Sequence, residues 1–111
     1  MKIIITSSGK TLDSEISEVF GRCPVFILAD TETGEFTAFD NTAVSARGGA
    51  GIQSAQFVVD QGAEAILNGN IGPKALSVIK AAGLPIYVQE GKTAAEVIDN
   101  FKAGKLQKLD A

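Results

Sequence analysis

The sequence predicts an α/β fold, a mixed five-stranded sheet covered by helices, and three observations carry that prediction. A β-branched run, Ile3-Ile4-Ile5, stands at the start; two extended runs follow, joined by only four residues; and from residue 49 onward helical and strand-like segments alternate. The 111 residues amount to one domain spanning 1–111. With 45% apolar against 21% charged residues, the chain can bury one core and lacks the composition of a disordered segment.

The first strand covers residues 2–6 and ends at the turn Ser7-Ser8-Gly9, since an unbroken β-branched run suits a strand buried on both faces. Ile16, Val19 and Phe20 are spaced as on a helix, between Asp13 or Ser14 as a cap and Gly21 as a stop, which predicts a short helical turn. Residues 24–30 and 35–41 read as strands two and three, and Thr31-Glu32-Thr33-Gly34 between them is short enough to force an antiparallel hairpin. In strand two, Phe26 and Leu28 on one face and Val25, Ile27 and Ala29 on the other should all be largely buried. Ile52, Ala55 and Val59 then mark one face of a helix, residues 63–67 form a short apolar strand, Pro73 opens a second helix that Gly83 closes, and residues 85–88 form the last strand. Thr93-Ala94-Ala95-Glu96 has the capping-box pattern, from which Ala94, Val97, Ile98 and Phe101 continue at helical spacing.

Charge and composition exclude several functions. Ten Lys and Arg against thirteen Asp and Glu give a net charge of −3 with no basic cluster, so the electrostatic footprint of nucleic-acid binding is missing. The chain has no His, which removes an imidazole base, a Ser/His or Cys/His pair and any His-containing zinc site within one chain. One Cys cannot form an internal disulfide and suits a reducing compartment. The longest apolar run, residues 25–29, falls far short of the ~18 residues needed to span a bilayer, and the first six residues are strand-like rather than a secretory signal. A cytoplasmic chain with no nucleic-acid or membrane partner is expected.

With strand two antiparallel to its neighbours, strands one, three, four and five point the same way and share one carboxyl edge. That edge collects Ser7-Ser8-Gly9, residues 41–51, Gly69-Asn70-Ile71-Gly72 and Gly91, and Arg22-Cys23-Pro24 arrives there at the start of strand two. Ser7-Ser8-Gly9-Lys10-Thr11 imitates the end of a Walker phosphate loop, but Ile4 stands where its first Gly belongs, so a polar turn is the better reading. Gly48-Gly49-Ala50-Gly51-Ile52-Gln53 opens a helix whose amides and dipole suit an anion held close to the backbone; the competing reading is a loop that only caps the helix. Its partial match to a dinucleotide fingerprint fails because Ser54 replaces the last Gly. Gly69-Asn70-Ile71-Gly72-Pro73 repeats the arrangement at the next helix start. Cys23 beside Arg22 has a neighbouring cation that favours the thiolate of a soft-metal ligand, although a lone Cys is more often a small buried hydrophobe. Arg22 and Arg47 both suit this edge as counter-charges to an anion, against the alternative of solvated surface charge. Asp13, Glu15 and Glu18 read as exposed decoration of the helical turn.

Together, Val19-Phe20-Gly21-Arg22-Cys23-Pro24, the loop 48–53 and the turn 69–73 resemble the dinitrogenase iron-molybdenum cofactor-binding family over nearly the whole chain, in particular its small stand-alone, orange-protein-like members. The resemblance implies a ribonuclease H-like, three-layer α/β/α fold with sheet order 3-2-1-4-5. It also implies a non-catalytic binding or carrier protein for an anionic metal–sulfur cluster of iron–molybdenum or molybdenum–copper type, with cluster-assembly or acceptor proteins as partners. The cofactor-binding residues so expected are Arg22, Cys23, Gly48, Gly49, Ala50, Gly51 and Asn70, with Cys23 as metal ligand. In several nitrogenase-linked members a His precedes the Phe-Gly pair; Val19 stands there in this chain, so no site built on that imidazole is expected. Nuclease chemistry does not carry over, because strand one has no carboxylate to bind a catalytic metal. Two other functional classes remain in competition: a small-molecule or nucleotide-binding regulatory module using the same edge without metal, and a protein-interaction domain.

Overall fold

Three isoleucines in succession need cover on both faces of a sheet, and the chain supplies it by placing β1, Lys2–Ser7, at the centre. The computed structural model describes residues 1–45 and 49–109. After β1 come β2 (Val25–Asp30) and β3 (Phe36–Asp40), a 3₁₀ turn (Thr42–Ser45), α1 (Ala50–Asp60), β4 (Ala65–Leu67), α2 (Pro73–Ala81), β5 (Ile86–Tyr87) and α3 (Ala94–Lys102). The sheet order is β3-β2-β1-β4-β5, with β2 antiparallel to β1 and β3, and β4 parallel to β1 and β5. Order and strand directions both agree with expectation.

Alternation along the strands divides the core. Ile4, Phe26 and Ile66 face α1 and α2, where Ala55, Val58, Ala75 and Ile79 meet them; Ile3, Ile5, Ile27 and Leu67 face α3, where Ala94 and Val97 meet them. The result is the three-layer α/β/α arrangement. Along β2, Val25, Phe26, Ile27 and Ala29 are buried and Leu28 is half-buried against the first cluster, so strand two is covered on both faces. The α3 start behaves as its sequence requires: Thr93 Oγ1 accepts the Glu96 N–H at 3.3 Å. The Glu96 carboxylate accepts from the Lys92 N–H at 3.4 Å rather than from Thr93 itself, so the box is closed one residue early. Thr93→Ala should lower stability by about 1 kcal/mol, read as a shift of the midpoint in guanidinium unfolding with unchanged slope.

Two features differ from the sequence expectation. The helical turn expected between Asp13 and Gly21 does not form, because the backbone there is engaged by tertiary partners. The Ile16 N–H donates to the Lys92 carbonyl and the Ser17 N–H to the Thr6 carbonyl, both at 3.0 Å, while Thr6 Oγ1 donates to the Ser17 carbonyl at 2.6 Å. The segment is thus an irregular strap over the carboxyl edge of the sheet, bridged at Ile16 to Ser7 and at Glu15 to Thr93. At the other end of the chain, Val88 N–H donates to the Gln107 carbonyl (2.8 Å) and Leu109 N–H to the Ile86 carbonyl (2.7 Å), so the tail pairs with β5 where no strand is expected.

Candidate functional site

The chain visits β2 and β3 on one side of β1 and returns to β4 and β5 on the other, so the connections diverge between β1 and β4. A crevice outside the carboxyl ends of strands at such a switch point is where open α/β sheets bind ligands. Residues 18–23 cross it. The Phe20 N–H donates to the Asn70 carbonyl at 3.1 Å, and the buried Phe20 ring anchors the crossing against Phe26, ring centroids 5.7 Å apart.

Two helices begin against this crossing. The first intrahelical bond of α1 runs from the Gln53 N–H to the Gly49 carbonyl and that of α2 from the Leu76 N–H to the Gly72 carbonyl, each 2.9 Å. The amides of Ala50, Gly51 and Ile52, and of Lys74 and Ala75, therefore precede the helical ladder and carry the positive ends of the dipoles. Both N-caps are glycine, neither supplies a side-chain hydrogen bond, and neither first turn contains an acid. Close packing brings the two starts together. A methyl on Gly51 would stand 3.3 Å from the Ala75 methyl, and one on Gly21 would stand 2.9 Å from the Gly51 Cα. Gly49 has φ +73, a left-handed conformation that favours glycine, so Gly49→Val would be strained although there is open space around the position. Backbone geometry thus explains the glycines at 49 and 51 by itself.

Between these elements opens a cavity of about 460 Å³, lined by Val19, Phe20, Gly21 and Arg22 on one wall, Gly49, Ala50, Gly51 and Ile52 on a second, and Asn70, Gly72, Pro73, Lys74 and Ala75 on the third. Of the residues singled out in the sequence, Arg22, Gly49, Ala50, Gly51 and Asn70 all meet here. Gly48 and Arg47 lie outside the described residues. Lys74 lies outside the sequence motifs, and Val19 and Ile52 lie within them without being expected as cofactor-binding residues. For Lys74 a signal exists in the sequence: a cation directly after Pro73, in the first turn of a helix, opposes the dipole, so its presence points away from helix stability. Val19 and Ile52 are large apolar side chains about half exposed, at 45% and 41%, and so contribute a greasy rim.

For Cys23 the structure favours the buried-hydrophobe reading over the ligand reading. The residue lies within reach in sequence, but its side chain is fully buried in the core cluster with Phe20, Phe26 and Ala55 and does not line the cavity. Burial pushes its pKa up to about 11 against the partly opposing hydrogen bonds from the Gly21 backbone and the Asn41 side chain, so the group is a thiol at neutral pH. Cys23 stands two residues before strand two, outside its alternation, and packs on the face of Phe26 rather than that of Val25 and Ile27, while the adjacent Arg22 is exposed. A thiol that is harder to ionise folded than unfolded makes folding less favourable as pH rises above 9.0 toward about 11, where the unfolded chain has already lost its proton. Native protein at pH 8 should therefore resist alkylation by iodoacetamide until denatured. Cys23→Ser should cost about 1–3 kcal/mol by burying a hydroxyl among apolar groups, with ligand affinity little changed.

The fold and the site define a small α/β protein with a cavity at the switch point of its sheet, lined by two helix starts, Arg22 and Lys74. By sequence the chain belongs to the dinitrogenase iron-molybdenum cofactor family, whose model matches residues 1–104. The apo form of the orange protein from Desulfovibrio gigas superposes with a TM-score of 0.93 at 31% identity, over 99% of this chain and 93% of that one. A NifB-like protein of the DUF35 family from Thermotoga gives 0.86 at 38% identity, over 99% and 94% of the two chains. An uncharacterized protein of Methanocaldococcus jannaschii is 37% identical over 101 residues, 88% of this chain and 86% of that relative.

Proposed function

We propose that this protein binds an anionic metal–sulfur cluster in the cavity and carries it, without transforming it. One observation supports the reading above all. Two helix starts without side-chain caps or acids converge with Arg22 and Lys74 on a space of about 460 Å³ whose walls are otherwise largely apolar. Such walls suit a bulky anion with weakly hydrated sulfide surfaces better than a small, strongly hydrated one. None of the described lining residues is an acid, a hydroxyl or a thiol, so these residues offer charge, amides and apolar contact. With Cys23 buried, the described residues hold the cargo without a thiolate bond, which suits pick-up and release. Family membership and the likeness to the orange protein favour an iron–molybdenum or molybdenum–copper cluster. A cytoplasmic carrier would exchange this cargo with cluster-assembly or acceptor proteins; among the described residues no helix is long and apolar enough to cross a membrane.

Protein purified anaerobically from its own source should contain molybdenum with iron or copper, together with acid-labile sulfide, at a fixed ratio to the chain. Protein that is free of these elements and does not take up a thiomolybdate would return the site to a metal-free ligand.

A further inference from the structure

We infer that Asn41 and Asn68 are positioning residues that set the shape of the ligand cavity by holding the backbone of residues 18–23 from two sides; the inference rests on the binding reading above. Asn41 directly follows β3 and Asn68 directly follows β4, so both stand at the carboxyl edge of the sheet, and both are buried. Asn68 Nδ2 donates to Thr6 Oγ1 at 2.8 Å and to the Glu18 carbonyl at 3.2 Å, while its Oδ1 accepts the Asn70 N–H at 2.6 Å. Asn41 Nδ2 donates to the carbonyls of Gly21 (3.2 Å) and Cys23 (2.9 Å), and its Oδ1 accepts the Ala43 N–H (3.1 Å) and the Ser54 hydroxyl (3.3 Å).

Each amide therefore ties two walls of the cavity together. Through Ser54, Asn41 joins the Gly21–Arg22 wall to α1, whose first turn forms the second wall. Through the Asn70 amide, Asn68 joins the start of the crossing to the turn that forms the third. Residues 18–23 have no helical or strand ladder, so the carbonyls of Glu18, Gly21 and Cys23 depend on these side chains. A core that needed only stability would be served by apolar side chains here; two fully engaged amides specify a geometry. The walls are thus placed before a ligand arrives, which reduces the ordering cost of binding.

The test uses the full chain with the isosteric variants Asn41→Asp and Asn68→Asp, each of which sets a carboxylate oxygen against a carbonyl or hydroxyl oxygen where an N–H stood. Amide hydrogen exchange is compared at Phe20 and Arg22 and at the sheet residues Ile4 and Ile66, and the visible circular dichroism and affinity of bound tetrathiomolybdate are measured anaerobically. Exchange at Phe20 and Arg22 should rise about 10-fold or more while Ile4 and Ile66 change far less, and affinity should fall about 10-fold with a weakened dichroism of the bound probe. If either Asp variant does not fold, Thr6→Val and Ser54→Ala, which remove one partner of each asparagine, should show the same pattern at smaller size. An equal rise of exchange at all four residues, or unchanged exchange, affinity and dichroism, overturns the proposal. If the wild type itself does not bind the probe, the binding reading fails, and the exchange pattern still decides whether the asparagines place the wall.

Discussion

Gly21→Ala is expected to lower stability by about 3 kcal/mol or more, a fall in the melting midpoint of about 13 °C or more for a chain of this size, and to abolish binding in the cavity. The reason is a double constraint. Gly21 has φ +94, which an L side chain rarely adopts, and its added methyl would lie 2.9 Å from the Gly51 Cα and 3.2 Å from the Gly51 nitrogen. Both obstacles are backbone atoms of a helix start, so no rotamer change relieves them. The 18–23 crossing and α1 must separate, and α1 is itself pressed on Ala75 of α2 at Gly51. Because all three walls of the cavity meet at this contact, the loss of binding should persist at temperatures well below the new midpoint. Thermal unfolding followed by circular dichroism, with a thiomolybdate titration at low temperature, checks both effects.

The second large effect is on affinity. Reversing Arg22 and Lys74 to Glu should weaken binding of an anionic cluster about 100-fold or more, roughly 2.7 kcal/mol, and the loss should shrink as salt is added. Lys74→Glu by itself should at the same time raise stability by about 0.5 kcal/mol, because it puts an acid where the α2 dipole favours one and removes a cation that the dipole disfavours. Opposite signs for stability and affinity separate a binding role from a structural one. Equal affinity of wild type and double variant would remove charge from the account.

Much of this architecture was legible in the residues. The Ile3-Ile4-Ile5 run marks a strand covered on both faces, the four-residue connection at 31–34 sets the antiparallel hairpin, and Pro73 and Thr93 mark helix starts that form where they stand. What the local pattern cannot carry is competition from distant partners. Residues 14–20 have helical spacing, yet the Lys92 and Thr6 carbonyls take the N–H groups of Ile16 and Ser17, and the strap wins over the helix. The pairing of residues 107–109 with β5 is likewise a tertiary event with no local sign. For the site, the glycine turns and Arg22 converge because the turns follow β3 and β4 to one edge and Arg22 precedes antiparallel β2 at that same edge. Cys23 did not converge, since adjacency to Arg22 in sequence says nothing about which of two successive side chains faces the core. The two buried asparagines carried no signal either, as Asn after a strand is ordinary turn chemistry until its partners are known.

The central claim is that the cluster sits on the amides of two helix starts beside Arg22 and Lys74. An anaerobic titration of ¹⁵N-labelled protein with tetrathiomolybdate, followed by two-dimensional NMR, tests it most directly. Saturable shifts of the Gly49, Ala50, Gly51, Asn70 and Lys74 amides, with α3 and the β2–β3 hairpin unmoved, are the predicted result. Shifts that centre elsewhere, or that follow the Cys23 environment in the core while the two helix starts stay still, would contradict it.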